Sequence, residues 1–212
     1  MPEALLVSAI SLVVGLILIV VISKAIGASK AVRNELRSHL EREGWSSIHS
    51  PFLTLAPGFR GSWQGRDARG SFQARHKSQP PMLIIEVSTR QFERMRIARH
   101  VSSVYLRAVS FSFGLPPRVD LGDSRFDARA ESRELIELIL RDESRAQLFD
   151  EFLRASHDRV ESKRGTLKLK RELLDRRAPG GSFLTVRPPA EEIERSVFLA
   201  HRLLEALSTK GF

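Results

Sequence analysis

Three hydrophobic patterns follow one another along the chain. Residues 4–23 are 20 consecutive positions without a charge, mostly Leu, Ile and Val. At 1.5 Å of helical rise per residue they reach across a hydrocarbon core of ~30 Å. The pattern then turns amphipathic. In residues 29–44, Val32, Leu36 and Leu40 recur at i, i+4 and i+8 among Arg33, Glu35, Arg37, Glu41 and Arg42, and Gly44 is a natural stop. This predicts a polar helical stalk continuing the first segment.

Between residues 51 and 99 the period shortens to two. Phe59, Gly61 and Trp63 alternate with Arg60, Ser62 and Gln64. After a turn at Gly65, Arg66 and Asp67, the residues Ala68, Gly70 and Phe72 alternate with Arg69, Ser71 and Gln73. Two amphipathic strands joined as a hairpin follow, aromatics on one face and arginines on the other. Residues 82–87 suit a central strand and 92–98 a further one, with Met95 and Ile97 inward. The expectation for this half is an antiparallel meander of about four strands.

Residues 101–113 fit helix and strand equally. A short strand and turn is expected over 119–129, helices over 135–140 and 146–153, and a second hairpin about Lys163, Arg164 and Gly165. One more short strand is expected over 183–186. The last pattern is again helical. Pro188 and Pro189 precede the acidic Glu191 and Glu192, and Ile193, Val197, Ala200, Leu204 and Leu207 form one stripe. The order strands, helices, strands, helix predicts an α+β class: an N-terminal transmembrane helix and stalk, then an antiparallel sheet packed by a C-terminal amphipathic helix. The expected division is 1–27 for the short tail and anchor, 28–47 for the juxtamembrane stalk and 48–212 for the soluble domain.

Charge sets the expected orientation. The N-terminal side carries Glu3 alone among its side chains, whereas Lys24, Lys30, Arg33 and Arg37 follow the apolar run. Positive flanks stay cytoplasmic, which places the C-terminal domain on the cytoplasmic side of the inner membrane. A cleaved signal peptide fits less well, because the basic n-region is missing and the apolar run is too long. Ala4, Ser8, Ser11 and Gly15 fall near one helical face, so self-association through the membrane helix is a possible route to a homo-oligomer. The 212 residues hold 34 Lys and Arg against 25 Asp and Glu, a formal net charge of +9, and no cysteine. Disulfides, thiol catalysis and Cys-ligated metal sites are therefore excluded.

Candidate chemistry is sparse. The histidines show no metal-binding spacing, and no nucleotide loop or nucleophile motif occurs. No metal or cofactor is implied. Asp120, Asp123 and Asp127 group three carboxylates, but the alternation and distal Glu of a calcium loop are missing. The simpler reading is structural: Gly122 forms a turn, Asp123 caps it through local backbone, and Phe126 anchors it to the core. The anchor, the Gly- and Arg-rich hairpin, the turn of Gly122, Asp123, Phe126 and Asp127, and the closing helix together resemble bacterial single-pass membrane-anchored proteins of unknown function. The resemblance implies the topology and carries no catalytic residue.

Two basic regions remain: Arg60, Arg66, Arg69, Arg75 and Lys77 around Phe59, Trp63 and Phe72, and Lys163, Arg164, Lys168, Lys170, Arg171, Arg176 and Arg177 within 15 residues. Lys24, Lys30, Arg33 and Arg37 on the stalk, with Lys163, Arg164, Lys168 and Lys170 around the second hairpin, are candidates for contact with an anionic leaflet. Nucleic acid is disfavoured, because alternation separates the aromatics from the arginines and a stacking platform needs both on one face. The expected function is a non-enzymatic binding or scaffold module beside the inner leaflet. The alternatives are a carboxylate-site enzyme around Asp120, Asp123 and Asp127, or a weak nucleic-acid binder.

Overall fold

The computed structural model describes residues 2–49, 58–73, 80–89, 93–100, 115–122, 125–173 and 189–208, with backbone alone for 2–9, 25, 28 and 29. The segments expected to be ambiguous (101–113) and a late strand (183–186) lie outside the described residues, as does Asp123. The fold is α+β. Helix α1 (Pro2–Arg42) is followed by the strands β1 (Trp45–His49), β2 (Gly58–Trp63), β3 (Arg66–Gln73), β4 (Met82–Ser88), β5 (Met95–Arg99), β6 (Arg118–Val119) and β7 (Phe126–Ala130). Helices α2 (Arg133–Leu140) and α3 (Glu143–Phe152) follow, then β8 (Arg159–Lys163), β9 (Thr166–Glu172) and α4 (Ala190–Ser208). Among the described residues, whose side chains in α1 begin at Ile10, no helix is long and apolar enough to cross a membrane.

The strands form one nine-stranded sheet in the order β1-β2-β3-β4-β9-β8-β5-β7-β6, every neighbouring pair antiparallel. The expected four-strand meander is present, but its members differ. It consists of β1 to β4, with β1 formed where the stalk was expected to end. Strand β5, with Met95 and Ile97 buried as expected, sits beyond β9 and β8. That hairpin inserts between β4 and β5, a long-range pairing that local alternation does not encode. Both hairpins close through two-residue turns with positive φ, Gln64-Gly65 and Arg164-Gly165. This type I′ geometry matches the twist of the strands. Strand β3 therefore begins at Arg66, inside what the sequence suggested as turn.

Register carries the alternation across the whole sheet. One transverse row reads Phe59, Gly70, Ile85, Leu169, Val160, Ile97, Ala128 and Val119, and every member is buried. The helices cover this face in the order α1, α4, α3, α2, each packed on the next. Val32, Leu36 and Leu40 of α1 and the whole stripe Ile193, Val197, Ala200, Leu204 and Leu207 of α4 enter the same core. The last turns of α1 are thus part of the domain. Serine and aspartate caps start the middle helices: Ser132 Oγ accepts from Leu135 N at 3.1 Å, and Asp142 Oδ1 from Ser144 N at 3.0 Å.

One close approach makes a specific prediction. A Cβ on Gly61 would lie 2.8 Å from the carbonyl oxygen of Ser46 on β1. The obstacle is backbone and cannot rotate away. Gly61→Ala is therefore expected to loosen the β1–β2 pairing, read as faster amide exchange in β1 than in wild type. Gly70→Ala meets only the mobile Cδ1 of Leu40, at 3.2 Å, and is expected to leave β1 protected. Unchanged exchange in Gly61→Ala would refute the packing described here.

Candidate functional site

The face of the sheet away from the helices is polar, and its register gathers charges from the entire chain. The row adjacent to the core row reads His49, Arg60, Arg69, Glu86, Lys168, Glu161, Arg96, Arg129 and Arg118, one residue from each strand. Six cations stand against two carboxylates. The next row adds Asp127, Ala98, Arg159, Lys170, Ile84 and Ser71.

The charges on the β4 to β6 side are only partly solvated. Side-chain exposure is 17% for Lys170, 22% for Arg129 and 33% for Arg159. The carboxylates are shared: Glu161 lies 2.7 Å from Arg159 Nε and 3.8 Å from Lys170 Nζ, and Asp127 lies 3.5 Å from Arg129 and 3.6 Å from Arg118. Lys168 pairs with Glu86. Burial pulls the pKa values of Arg96 and Lys170 below their ordinary values; Glu161 opposes this and the neighbouring Arg159 adds to it.

The eight basic residues singled out in the sequence divide into two groups. Lys24, Lys30 and Arg37 are exposed along α1 and Arg33 is half-buried; Arg37 already pairs with Glu41 at 2.7 Å. Lys163 and Arg164 are exposed at the tip of the second hairpin, while Lys168 and Lys170 belong to the charged sheet face. That face recruits Arg96, Arg118, Arg129 and Arg159, which the sequence reading left out. The signal for them was the parity of their own strands, since each alternates with a buried apolar neighbour.

In the turn before β7 the expected cap, Asp123, lies outside the described residues, and the described contact comes from Asp120. Gly122 has φ of +72°, as a tight turn requires, and its N–H donates to Asp120 Oδ1 at 3.0 Å. The described cap is therefore Asp120, two residues ahead, the geometry of an Asx turn. Phe126 is buried and meets the Phe149 ring edge-on, as the anchoring role requires. Asp127 lies among arginines on the sheet face. Among the described residues no cluster of three or more His, Asp or Glu could hold a metal ion.

Two polar networks join the layers on the helix side. Trp63 Nε1 donates to His201 Nε2 at 2.8 Å, and His201 Nδ1 lies 3.1 Å from Glu43. Tryptophan only donates, so Nε2 must be the acceptor and Nδ1 carries the proton toward Glu43. This links β2, α4 and the end of α1. A cleft of about 350 Å³ opens next to it between α1 and α4, lined by His39, Arg42, Glu43, Glu194, Arg195 and Phe198 among others. The second network centres on Arg171, whose parity with Leu167, Leu169 and Leu173 turns it into the core. It donates to the carbonyls of Glu151 and Phe152 at 2.8 and 2.5 Å and to Ser196 Oγ at 3.1 Å.

Comparison with protein families, with curated proteins and with solved structures finds no match to this chain.

Proposed function

We propose that this chain is a single-pass membrane protein whose α+β domain faces the cytoplasm and acts as a non-enzymatic binding or scaffold module beside the inner leaflet. One observation carries the reading. Ile10, Leu12, Val13, Val14, Leu16, Ile17, Leu18, Ile19, Val20, Val21 and Ile22 are all between 39% and 65% exposed, around the full circumference of a regular helix. Water does not tolerate an apolar surface of that extent, whereas lipid does. The described stretch is shorter than a span by itself, but the uncharged run in the sequence starts at Ala4 and supplies 20 residues.

The continuity of α1 supports the second half of the proposal. Val32, the first buried residue of the amphipathic stripe, lies nine positions beyond Ser23. At 1.5 Å per residue that is about 13 Å from the hydrocarbon boundary. A headgroup layer takes up roughly half of this, so the domain stands within about a Debye length of the surface. Lys24 and Lys30 fall in the interval and Arg33 and Arg37 follow it within the next turn and a half; near the surface each cation adds roughly 1 kcal/mol of attraction to an anionic leaflet. Asp120 and Asp127 are engaged by a backbone N–H and by arginines, which gives a carboxylate-centred enzyme no support.

The test uses the absence of cysteine. The full chain is expected to stay with membranes through alkaline carbonate washing. A single Pro2→Cys variant should react with an impermeant maleimide from outside the cell, and a Gln147→Cys variant only after the membrane is opened. Recovery of the intact chain in the soluble fraction would overturn the anchor. Labelling of Gln147→Cys from outside would overturn the orientation.

A further inference from the structure

We propose that Arg96, Arg118, Arg129, Arg159 and Lys170, grouped around Ala98 on the sheet face away from the described helices, form a binding site for a phosphate group. The inference rests on the reading of this domain as a binding module and names the chemistry that the module recognises.

Charge balance is the first argument. Among the described residues, five cations surround Ala98 from β5, β6, β7, β8 and β9, and the neighbouring carboxylates are Glu161 and Asp127. Each carboxylate is already divided between two cations. Arg96 occupies the centre, with Arg129 opposite it on β7 and Glu161 opposite it on β8. The surplus is positive, and part of it sits on side chains that are only partly solvated, Lys170 and Arg129.

Donors without a well-aligned acceptor are the second argument. The Nε atoms of Arg96, Arg129 and Arg159 are buried and donate no hydrogen bond. Glu161 lies within 2.7 Å of Arg159 Nε and Asp127 3.5 Å from Arg129 Nε, ion-pair contacts in neither of which the N–H makes a hydrogen bond, and Arg96 Nε between them has no such contact among the described residues. Buried donors are normally satisfied, and leaving one unmade costs about 1–3 kcal/mol. Three guanidinium donors on adjacent strands, in a surplus of positive charge, match the oxygens of a tetrahedral dianion. A lone carboxylate offers fewer acceptor positions. Among the described residues a stacked base finds no aromatic partner on this face, because Phe59, Trp63 and Phe72 are buried on the opposite one.

The phosphate has two sources, a lipid headgroup or a soluble phosphate compound, and the experiment separates them. Full-length protein in phosphatidylcholine nanodiscs is titrated with inorganic pyrophosphate while arginine Nε–H resonances are followed by NMR. The expected result is saturable movement of the Arg96, Arg129 and Arg159 signals. Arg96→Gln should weaken pyrophosphate binding about tenfold or more, the loss of one charge-assisted hydrogen bond. Arg60→Gln, in the same row but on β2, should leave it unchanged. Arg96→Lys retains the charge without the planar fork and should fall between the two. Adding phosphatidylglycerol to the nanodiscs gives the second arm. If it shifts the same three signals and pyrophosphate then fails to add to the shift, the headgroup is the ligand; if it does not, the ligand is soluble.

No saturable shift with pyrophosphate or with anionic nanodiscs would overturn the proposal. Equal weakening by Arg60→Gln would overturn it too, since the effect would then be diffuse charge. The pyrophosphate titration can be repeated on full-length protein in detergent, where it does not depend on anchoring, so a failed carbonate extraction leaves this site standing and a failed titration leaves the anchor standing.

Discussion

Arg171→Met is expected to lower the stability of the domain by about 3 kcal/mol or more. For a domain of this size that corresponds to roughly 6–12 °C in Tm, measured on the full chain in detergent. Arg171 is 2% exposed. Its guanidinium closes the C-terminus of α3 by donating to the Glu151 and Phe152 carbonyls, and it ties that end to α4 through Ser196 Oγ and, at 4.0 Å, Glu192. Methionine fills similar volume but leaves two helix-end carbonyls without a donor. Arg171→Lys keeps the charge and one donor direction, so its loss should be smaller.

The same variant carries a pH signature through Asp158. This carboxylate is buried and accepts from the N–H groups of Glu172, Arg154 and Ala155. Burial pushes its pKa above the ordinary 3.8, while those bonds and the charge of Arg171 hold it back. Removing Arg171 removes one restraint, so the folded-state pKa rises further. A raised carboxyl pKa makes no difference below the unfolded value and costs most above the folded one. The stability gap between wild type and Arg171→Met should therefore widen as pH climbs from about 4 toward neutrality. A gap that narrows, or a Tm within two degrees of wild type at neutral pH, would refute this role for Arg171.

Trp63→Ala is expected to cost about 3–5 kcal/mol, the range for truncating a large buried aromatic. Trp63 is 2% exposed and meets His201 edge-on with ring centroids 5.6 Å apart. Packing and the Nε1 donor are separable. His201→Leu keeps the packing but orphans the indole N–H, at a cost of about 1–3 kcal/mol. Trp63→Phe removes the donor. In Trp63→Phe combined with His201→Leu both polar partners are gone, and the double variant should lose less stability than the two single losses added together. Strict additivity, measured by chemical unfolding, would show that the 2.8 Å contact carries no coupling.

Much of this architecture follows from short-range pattern. The stripe of α4, the stripe of α1 ending at Gly44, the burial of Trp63 and Phe126 and the two Gly-containing hairpins all depend on residues a few positions apart. Side-chain direction there follows from the periods of 3.6 and 2. The division of β2 and β3 into an aromatic face and an arginine face comes from the same source. Arg171 was legible too, because Leu167, Leu169 and Leu173 share its parity. Counted with its basic neighbours it looks like surface charge; counted by alternation it points inward.

What lay beyond the sequence was pairing between distant segments. The insertion of β9 and β8 between β4 and β5, the place of β1 at the edge and the assembly of Arg96, Arg118, Arg129, Arg159 and Lys170 on one patch depend on which strands lie side by side. The sequence by itself determined which side each of these residues faces, because alternation is a local property of extended backbone. Only the tertiary structure decided which residues become neighbours, because strand order is selected by the burial of the apolar face under the helices. The charged face is the outward consequence of that choice.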